Sequence, residues 1–258
     1  MLIQGSIVVI TGAARGIGRA LALRFAREGA AGLVVSDRDE AALASVAEEA
    51  GAMAVAADVS REAGVRALVD ATISRHGRID LFCSNAGILV EGGPEVPDED
   101  WERIHRVNVL SHVYASRALL PHFLERGQGY FLQTVSAAGL LTAPGSAPYA
   151  VTKHAALAFA EWLAIHYGDR GVKVSCLCPE FVLTDMVRSV GGRLGEWMLA
   201  GSIPVEGVAE SVVNGLRDER FLILPHPETI EYFRRKASDY DRWLRGMRRL
   251  LRDVNPTI

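Results

Sequence analysis

Apolar runs of four to seven residues alternate along this chain with longer stretches in which apolar positions recur every three or four residues. The runs fall at residues 6–11, 32–36, 52–57, 79–84, 129–135, 173–178 and 221–224, and each reads as a strand closed off by turn residues. Helical periodicity fills the intervals. One helix spans 17–27, with Ala20, Leu21 and Phe25 inward and Gly29 after its end; a second starts at Asp37 or Asp39 and runs to Ala50. Others cover 61–76, about 98–125, a stretch from Pro148 to about Tyr167, and 208–217. Strictly alternating strands and helices predict an α/β fold: a Rossmann-type, doubly wound sheet of seven parallel strands between two helical layers.

The pattern then changes. Ile230, Phe233, Ala237, Tyr240, Trp243, Leu244, Met247, Leu250 and Leu251 form a helical stripe against an arginine-rich face, an added C-terminal helix over about 227–254. Two large aromatic rings on one stripe require burial, so the helix is expected to pack on the protein, near a lid or across a subunit interface. A membrane surface is the weaker receiver, because Glu231, Asp239, Asp241 and Asp253 dilute the basic face.

No Pro/Ser-rich linker divides the 258 residues, so they are read as one domain, 1–258. A formal charge of -3 offers no footprint for nucleic acid, and the expected partner is a small molecule. Residues 1–10 lack a basic n-region and their apolar run is too short for a signal peptide or a span; a cytoplasmic location without membrane contact is expected. Cys83, Cys176 and Cys178 make no disulfide framework, and a Cys-x-Cys without nearby histidines is a poor metal site, so no metal is expected. His105 and His112, seven apart, are placed at the surface or at a subunit contact.

Chemistry concentrates in two places. After the first run comes Gly12-Ala-Ala-Arg15-Gly16-Ile17-Gly18, leading into a helix: glycines that let the backbone turn sharply and approach a pyrophosphate at the helix N-terminus. Asp37 follows Gly18 by the roughly 20 residues at which an acid of such a fold bonds ribose hydroxyls and repels a 2′-phosphate. Asp39 is then left to cap the helix. Arg15 and Arg38 pull the other way, toward the phosphate of NADP. The second place is Tyr149-Ala-Val-Thr-Lys153, where helical i,i+4 spacing sets the two side chains about 5–6 Å apart at Cβ. That pair reads as a proton acceptor and its activator, with the ammonium lowering a phenol that ordinarily titrates near 10; taken alone, the spacing more commonly marks an amphipathic surface tyrosine beside a solvated lysine.

Taken together, the glycine turn and the Tyr149/Lys153 pair, with Ser136 thirteen positions before the tyrosine, resemble the short-chain dehydrogenase/reductase family in its compact form, up to about residue 225. The resemblance implies Tyr149 as general acid/base, Lys153 as its activator and a ligand of the nicotinamide ribose, Ser136 holding the substrate oxygen, and Asn108 supporting a proton relay. It implies a cofactor site built from Gly12, Arg15, Gly16, Ile17, Gly18, Asp37, Arg38, Asp58, Val59, Asn85, Ala86, Gly87, Tyr149, Lys153, Pro179, Val182 and Thr184. By their local chemistry alone, Asp58 or Ser60 serves equally as an N-cap. A mid-helix Asn108 is unfavourable by propensity, which favours a bonding role.

The implied activity is hydride transfer between a nicotinamide cofactor, NAD in preference to NADP, and a secondary alcohol or carbonyl, in a homodimer or homotetramer. Residues 88–100 are expected to wall the substrate cleft, and 185–205, rich in glycine, to form a mobile lid. Glu180 departs from the family pattern, which has glycine there. The rival reading is a non-catalytic dinucleotide-sensing protein on the same fold, whose signature would be loss of Tyr149 or Lys153; both are present.

Overall fold

The computed structural model describes residues 1–254; the last four positions of the expected 1–258 domain, 255–258, lie outside the described residues. In chain order the elements are β1 (Ile7–Thr11), α1 (Gly16–Arg27), β2 (Gly32–Asp37), α2 (Glu40–Ala50), β3 (Met53–Ala56), α3 (Glu62–His76) and β4 (Leu81–Ser84). Next come α4 (Asp98–His105), α5 (Ser111–Arg126), β5 (Gly129–Thr134), α6 (Ala138–Leu141), α7 (Ala147–Tyr167) and β6 (Val172–Leu177). The chain closes with α8 (Asp185–Arg188), α9 (Gly192–Ala200), α10 (Val205–Arg217), β7 (Leu222–Ile223), α11 (Thr229–Ser238) and α12 (Tyr240–Val254).

The seven strands form one sheet in the order β3-β2-β1-β4-β5-β6-β7, every pair parallel. Period-two geometry divides the core. Val8 and Ile10 of β1 join the apolar cluster beneath α1, α2 and α10, while Val9 between them joins the opposite cluster under α3, α5 and α7. That is why the central strands are apolar throughout; each fully buried Leu or Phe, such as Leu21, Phe25, Phe82 and Phe131, contributes about 1.5–3 kcal/mol. Only β3 alternates between half-buried and exposed positions, because it lies at the sheet edge.

The strand order reverses between β1 and β4, which opens a crevice at the C-terminal ends of the strands, where ligands of open α/β sheets bind. Two expectations need correction. The long helix expected over 98–125 is interrupted by a π turn, Arg106–Leu110, between α4 and α5. The single C-terminal helix is two helices. Asp239 takes an extended conformation, and its carboxylate accepts the Arg242 amide at 2.9 Å, starting α12 afresh.

Candidate active site

The turn after β1 is shaped by close backbone approach. Gly12 has φ 65°, and a Cβ there would lie 2.7 Å from the Ala86 Cα, so the turns after β1 and β4 touch backbone to backbone. A Cβ at Gly18 would meet the Gly12 carbonyl oxygen at 2.1 Å; this glycine packs α1 against its own turn and does not line the cleft. Asn85 ties three strands together. Its amide donates to the Thr11 carbonyl at 3.0 Å and to that of Gly12 at 3.3 Å, and its oxygen accepts the Thr134 hydroxyl at 3.0 Å.

At the end of β2 the Asp37 carboxylate is oriented by the amides of Ala14, Arg38 and Asp39, at 3.1, 2.8 and 3.2 Å. Asp39 caps α2 through the Ala42 amide and pairs with Arg15 at 2.6 Å, so one of the two arginines that favour a 2′-phosphate is already engaged. Asp58 spends one oxygen on the amide and hydroxyl of Ser60, at 3.0 and 2.7 Å. Neither Asp58 nor Ser60 caps α3, whose N-cap position is Arg61 without a side-chain bond.

Ser136 follows β5 with a φ of 150°, a conformation that costs an L-residue about 1–3 kcal/mol. Its hydroxyl accepts the Ala138 amide at 3.0 Å and donates to the Pro179 carbonyl at 3.4 Å. Helix α7 begins at Ser146, whose hydroxyl accepts the Tyr149 amide and donates to the Val90 carbonyl, fixing the start of the helix against the wall that precedes α4. One turn separates Tyr149 and Lys153. The lysine is 3% exposed, its Nζ donates to the Thr134 carbonyl at 2.9 Å, and it stands 5.5 Å from the Tyr149 ring centroid.

Asn108 sits in the π turn one layer behind the cleft. Its amide nitrogen donates to the Ile88 carbonyl and the Thr152 hydroxyl, at 2.9 and 3.3 Å, and its oxygen accepts the Ile88 amide at 2.9 Å. The bonding role expected of it is real, and it fixes Gly87 and Ile88 opposite Lys153.

Electrostatics depart from expectation in two respects. Burial raises the Tyr149 phenol, against the Ser136 hydroxyl, which favours the phenolate. Burial also takes Lys153 down to about 8. In the protein by itself the phenol is thus raised, not lowered as expected, because desolvation outweighs the one favourable contact, the Ser136 hydroxyl. His112, expected at the surface or at a subunit contact, is 1% exposed within the chain itself; burial first, and then the charge of Lys153, take it down to about 3.

Glu180 has a structural reason. Its carboxylate accepts the Thr229 hydroxyl at 2.6 Å at the first residue of α11, and its amide donates to His226 Nδ1 at 3.2 Å. A second anchor holds the far end of the same helix: the buried Lys236 donates to the Leu140 carbonyl of α6 at 2.7 Å. So fixed, α11 leads into α12, which packs against α9, whose Trp197 meets Phe181 edge to face with centroids 4.8 Å apart.

One cleft of about 1260 Å³ runs under all of this. Of the expected site residues, Ser136, Tyr149 and Lys153 line it, as do Gly12, Arg15, Gly16, Ile17, Asp37, Arg38, Asp58, Val59, Asn85, Ala86, Gly87, Pro179, Val182 and Thr184. Gly18 and Asn108 support it from behind. Glycines where a Cβ would collide and an amide-oriented carboxylate at the end of β2 fit a dinucleotide. Sequence reading missed Thr229, His226 and Lys236, which pair across long separations, and Ser146, whose Ser-Ala-Pro context is a legible cap signal.

The family profile described as short chain dehydrogenase matches residues 6–194. Among curated proteins, 1-deoxy-11-beta-hydroxypentalenate dehydrogenase of Streptomyces exfoliatus is 39% identical over 240 residues, covering 88% of this chain and 86% of that protein. Meso-2,3-butanediol dehydrogenase of Serratia marcescens is 36% identical over 190 residues, covering 72% and 75%. Among solved structures, a short chain dehydrogenase/reductase from Burkholderia phymatum in complex with NAD superposes with a TM-score of 0.85 at 30% identity, covering 93% of this chain and 96% of that one. A match that begins at the first strand and ends in the lid takes in both the glycine turn and the Ser136, Tyr149 and Lys153 group, and this chain belongs to the short chain dehydrogenase family.

Proposed function

We propose that this protein moves a hydride between NAD and a secondary alcohol or ketone, with Tyr149 as general acid and base. The observation that carries the reading is that Ser136, Tyr149 and Lys153 line the same cleft as Gly12, Gly16 and Asp37. The relative solved with NAD supports the choice of cofactor. A nicotinamide dinucleotide bound there accepts or supplies the hydride. Gly12, Gly16 and Ile17 would hold its pyrophosphate, Asp37 its adenine ribose, Asp58 and Val59 its adenine, Lys153 its nicotinamide ribose, and Val182 and Thr184 its carboxamide end.

The chain's own groups handle the proton. In the oxidation direction Ser136 Oγ holds the substrate oxygen, and Tyr149 takes its proton; in reduction the phenol returns it. Lys153 keeps positive charge near the phenol, an effect that grows when oxidised nicotinamide adds its own. Asn108, which holds the Ile88 backbone beside Gly87 across from Lys153, would support the proton relay from behind. A binding-only sensor could use Lys153 to hold the ribose but has no use for a transferable proton on Tyr149. Val151, Trp162 and Ile165, which are 55%, 46% and 78% exposed, share one face of α7, and we assign that face to the contact of a homodimer or homotetramer, which light scattering tests.

A panel of secondary alcohols with NAD and of ketones with NADH, followed by absorbance of the reduced nicotinamide, tests the activity. Turnover of some members is expected. Binding of NADH with no turnover across a broad panel would favour the sensor.

A further inference from the structure

The roof of the substrate half of the cleft is made by α12. Arg242, Trp243, Gly246, Met247, Arg249 and Leu250 line it, a stripe that repeats with the helical period. Opposite them the lid contributes Val190, Leu194, Trp197 and Met198. The space between is lined mainly by apolar residues, with the exposed Arg242 and Arg249 along one wall. Arg242 and Arg249 are two turns apart, roughly 10 Å along the axis.

The charges nearby are mostly committed. Arg235 pairs with Glu231 at 3.1 Å, Arg103 with Asp100 at 2.7 Å, and Asp185 reaches Arg188 at 3.9 Å. Glu180 is bound by Thr229, and Asp239 caps α12. Among the described residues, neither Arg242 nor Arg249 has an ion-pair partner, and of the acids lining this half only Glu91, on the loop after β4, is without a bond. The helix that carries these exposed arginines follows α11, which is pinned through Glu180–Thr229 and Lys236–Leu140. A guanidinium fork beside an apolar space matches a carboxylate on an apolar body.

On the reading of the cleft as a dehydrogenase site, we propose that its substrate is an apolar secondary alcohol or ketone bearing a carboxylate remote from the reacting carbon, and that Arg242 and Arg249 bind that carboxylate. The test compares a homologous series of medium- to long-chain keto acids with their primary amides, which keep the skeleton and remove the charge. The acids should be favoured about tenfold in kcat/KM, expressed in KM, and the preference should shrink as salt is added. The double variant Arg242→Gln/Arg249→Gln should lose the preference. Arg245→Gln/Arg248→Gln, the same charge change on residues that do not line the cleft, should retain it.

Calorimetry of octanoate against octanamide, with NADH present, reads the same contact without turnover. Octanoate binding that depends on Arg242 and Arg249, in a protein that turns over no member of the series, would sink the dehydrogenase reading and leave the anion site standing. Equal handling of acid and amide, or a preference that survives Arg242→Gln/Arg249→Gln, would overturn the proposal. So would Arg242- and Arg249-dependent capture by phosphatidylserine vesicles with no discrimination between octanoate and octanamide.

Discussion

The Glu180 carboxylate accepts the Thr229 hydroxyl at 2.6 Å, joining the segment after β6 to the first turn of α11. Residue 180 directly follows Pro179, whose carbonyl receives both the Ser136 hydroxyl and the Ala137 amide. The residue that departs from the family's glycine is thus the link between the support of Ser136 and the C-terminal helices. An acid at a helix N-terminus is also favoured by the helix dipole.

Glu180→Gly should loosen α11 and α12 and leave the nucleotide half intact. Loss of a hydrogen bond to a charged acceptor corresponds to about 1.5–3 kcal/mol, so a lower melting temperature is expected. Substrate KM should rise more than cofactor KM. Thr229→Val should reproduce the effect, and the double variant should be no worse than either single one. Additive losses in a double-mutant cycle would show that the two residues act independently.

Asp37, oriented by three amides, should set the cofactor preference. NAD is expected to exceed NADP in kcat/KM, and Asp37→Ala should narrow the ratio by about tenfold or more, a change of about 1.4 kcal/mol. A wild-type preference for NADP would mean that Arg38 outweighs the carboxylate.

Lys153 is buried at a cost. Its folded value of about 8 lies below the ordinary 10.5, so the unfolded chain binds more protons between those values. Stability from this group therefore rises as pH goes from about 8 to 10.5, and below 8 the buried charge costs about 3 kcal/mol. Lys153→Met removes that cost but leaves the Thr134 carbonyl without its donor, a loss of about 1–3 kcal/mol. The variant should be inactive, at least as stable as wild type at neutral pH, and flatter in stability above pH 8. Chemical denaturation across pH decides it; a variant several kcal/mol less stable at pH 7 would contradict the account.

His112 titrates in the opposite pH region. With a folded value of about 3 against an ordinary 6.5, the unfolded state binds the extra proton, so stability falls as pH drops from about 6.5 toward 3. Both ring nitrogens lack hydrogen-bond partners among the described residues. His112→Leu should make acid unfolding less steep over that window, read as stability against pH. An unchanged slope would place the acid sensitivity in other groups.

Much of the fold was legible because its signals are local. Each expected strand overlaps an observed one, and Asp39 caps α2 as its position suggested. His112 was misplaced for a definite reason: the π turn at Arg106–Leu110 inserts an extra residue into the helical period and rotates α5 by about 100°, carrying His112 from the outer face to the inner. The break at Asp239 carried a cap signal that the unbroken apolar stripe obscured. Glu180 and Thr229, 49 residues apart, leave no local trace of their pairing. The raised Tyr149 phenol was not legible either, because spacing reports that a charge is near and says nothing about desolvation.

The central claim, that Tyr149 exchanges the substrate proton, is tested most directly by measuring kcat and the NADH dissociation constant of Tyr149→Phe side by side. The ring still packs in the variant and only the transferable proton is lost, so kcat should fall by about 10²–10⁴ while the NADH constant stays within about twofold of wild type. Near-native kcat, with NADH bound as in wild type, would contradict it.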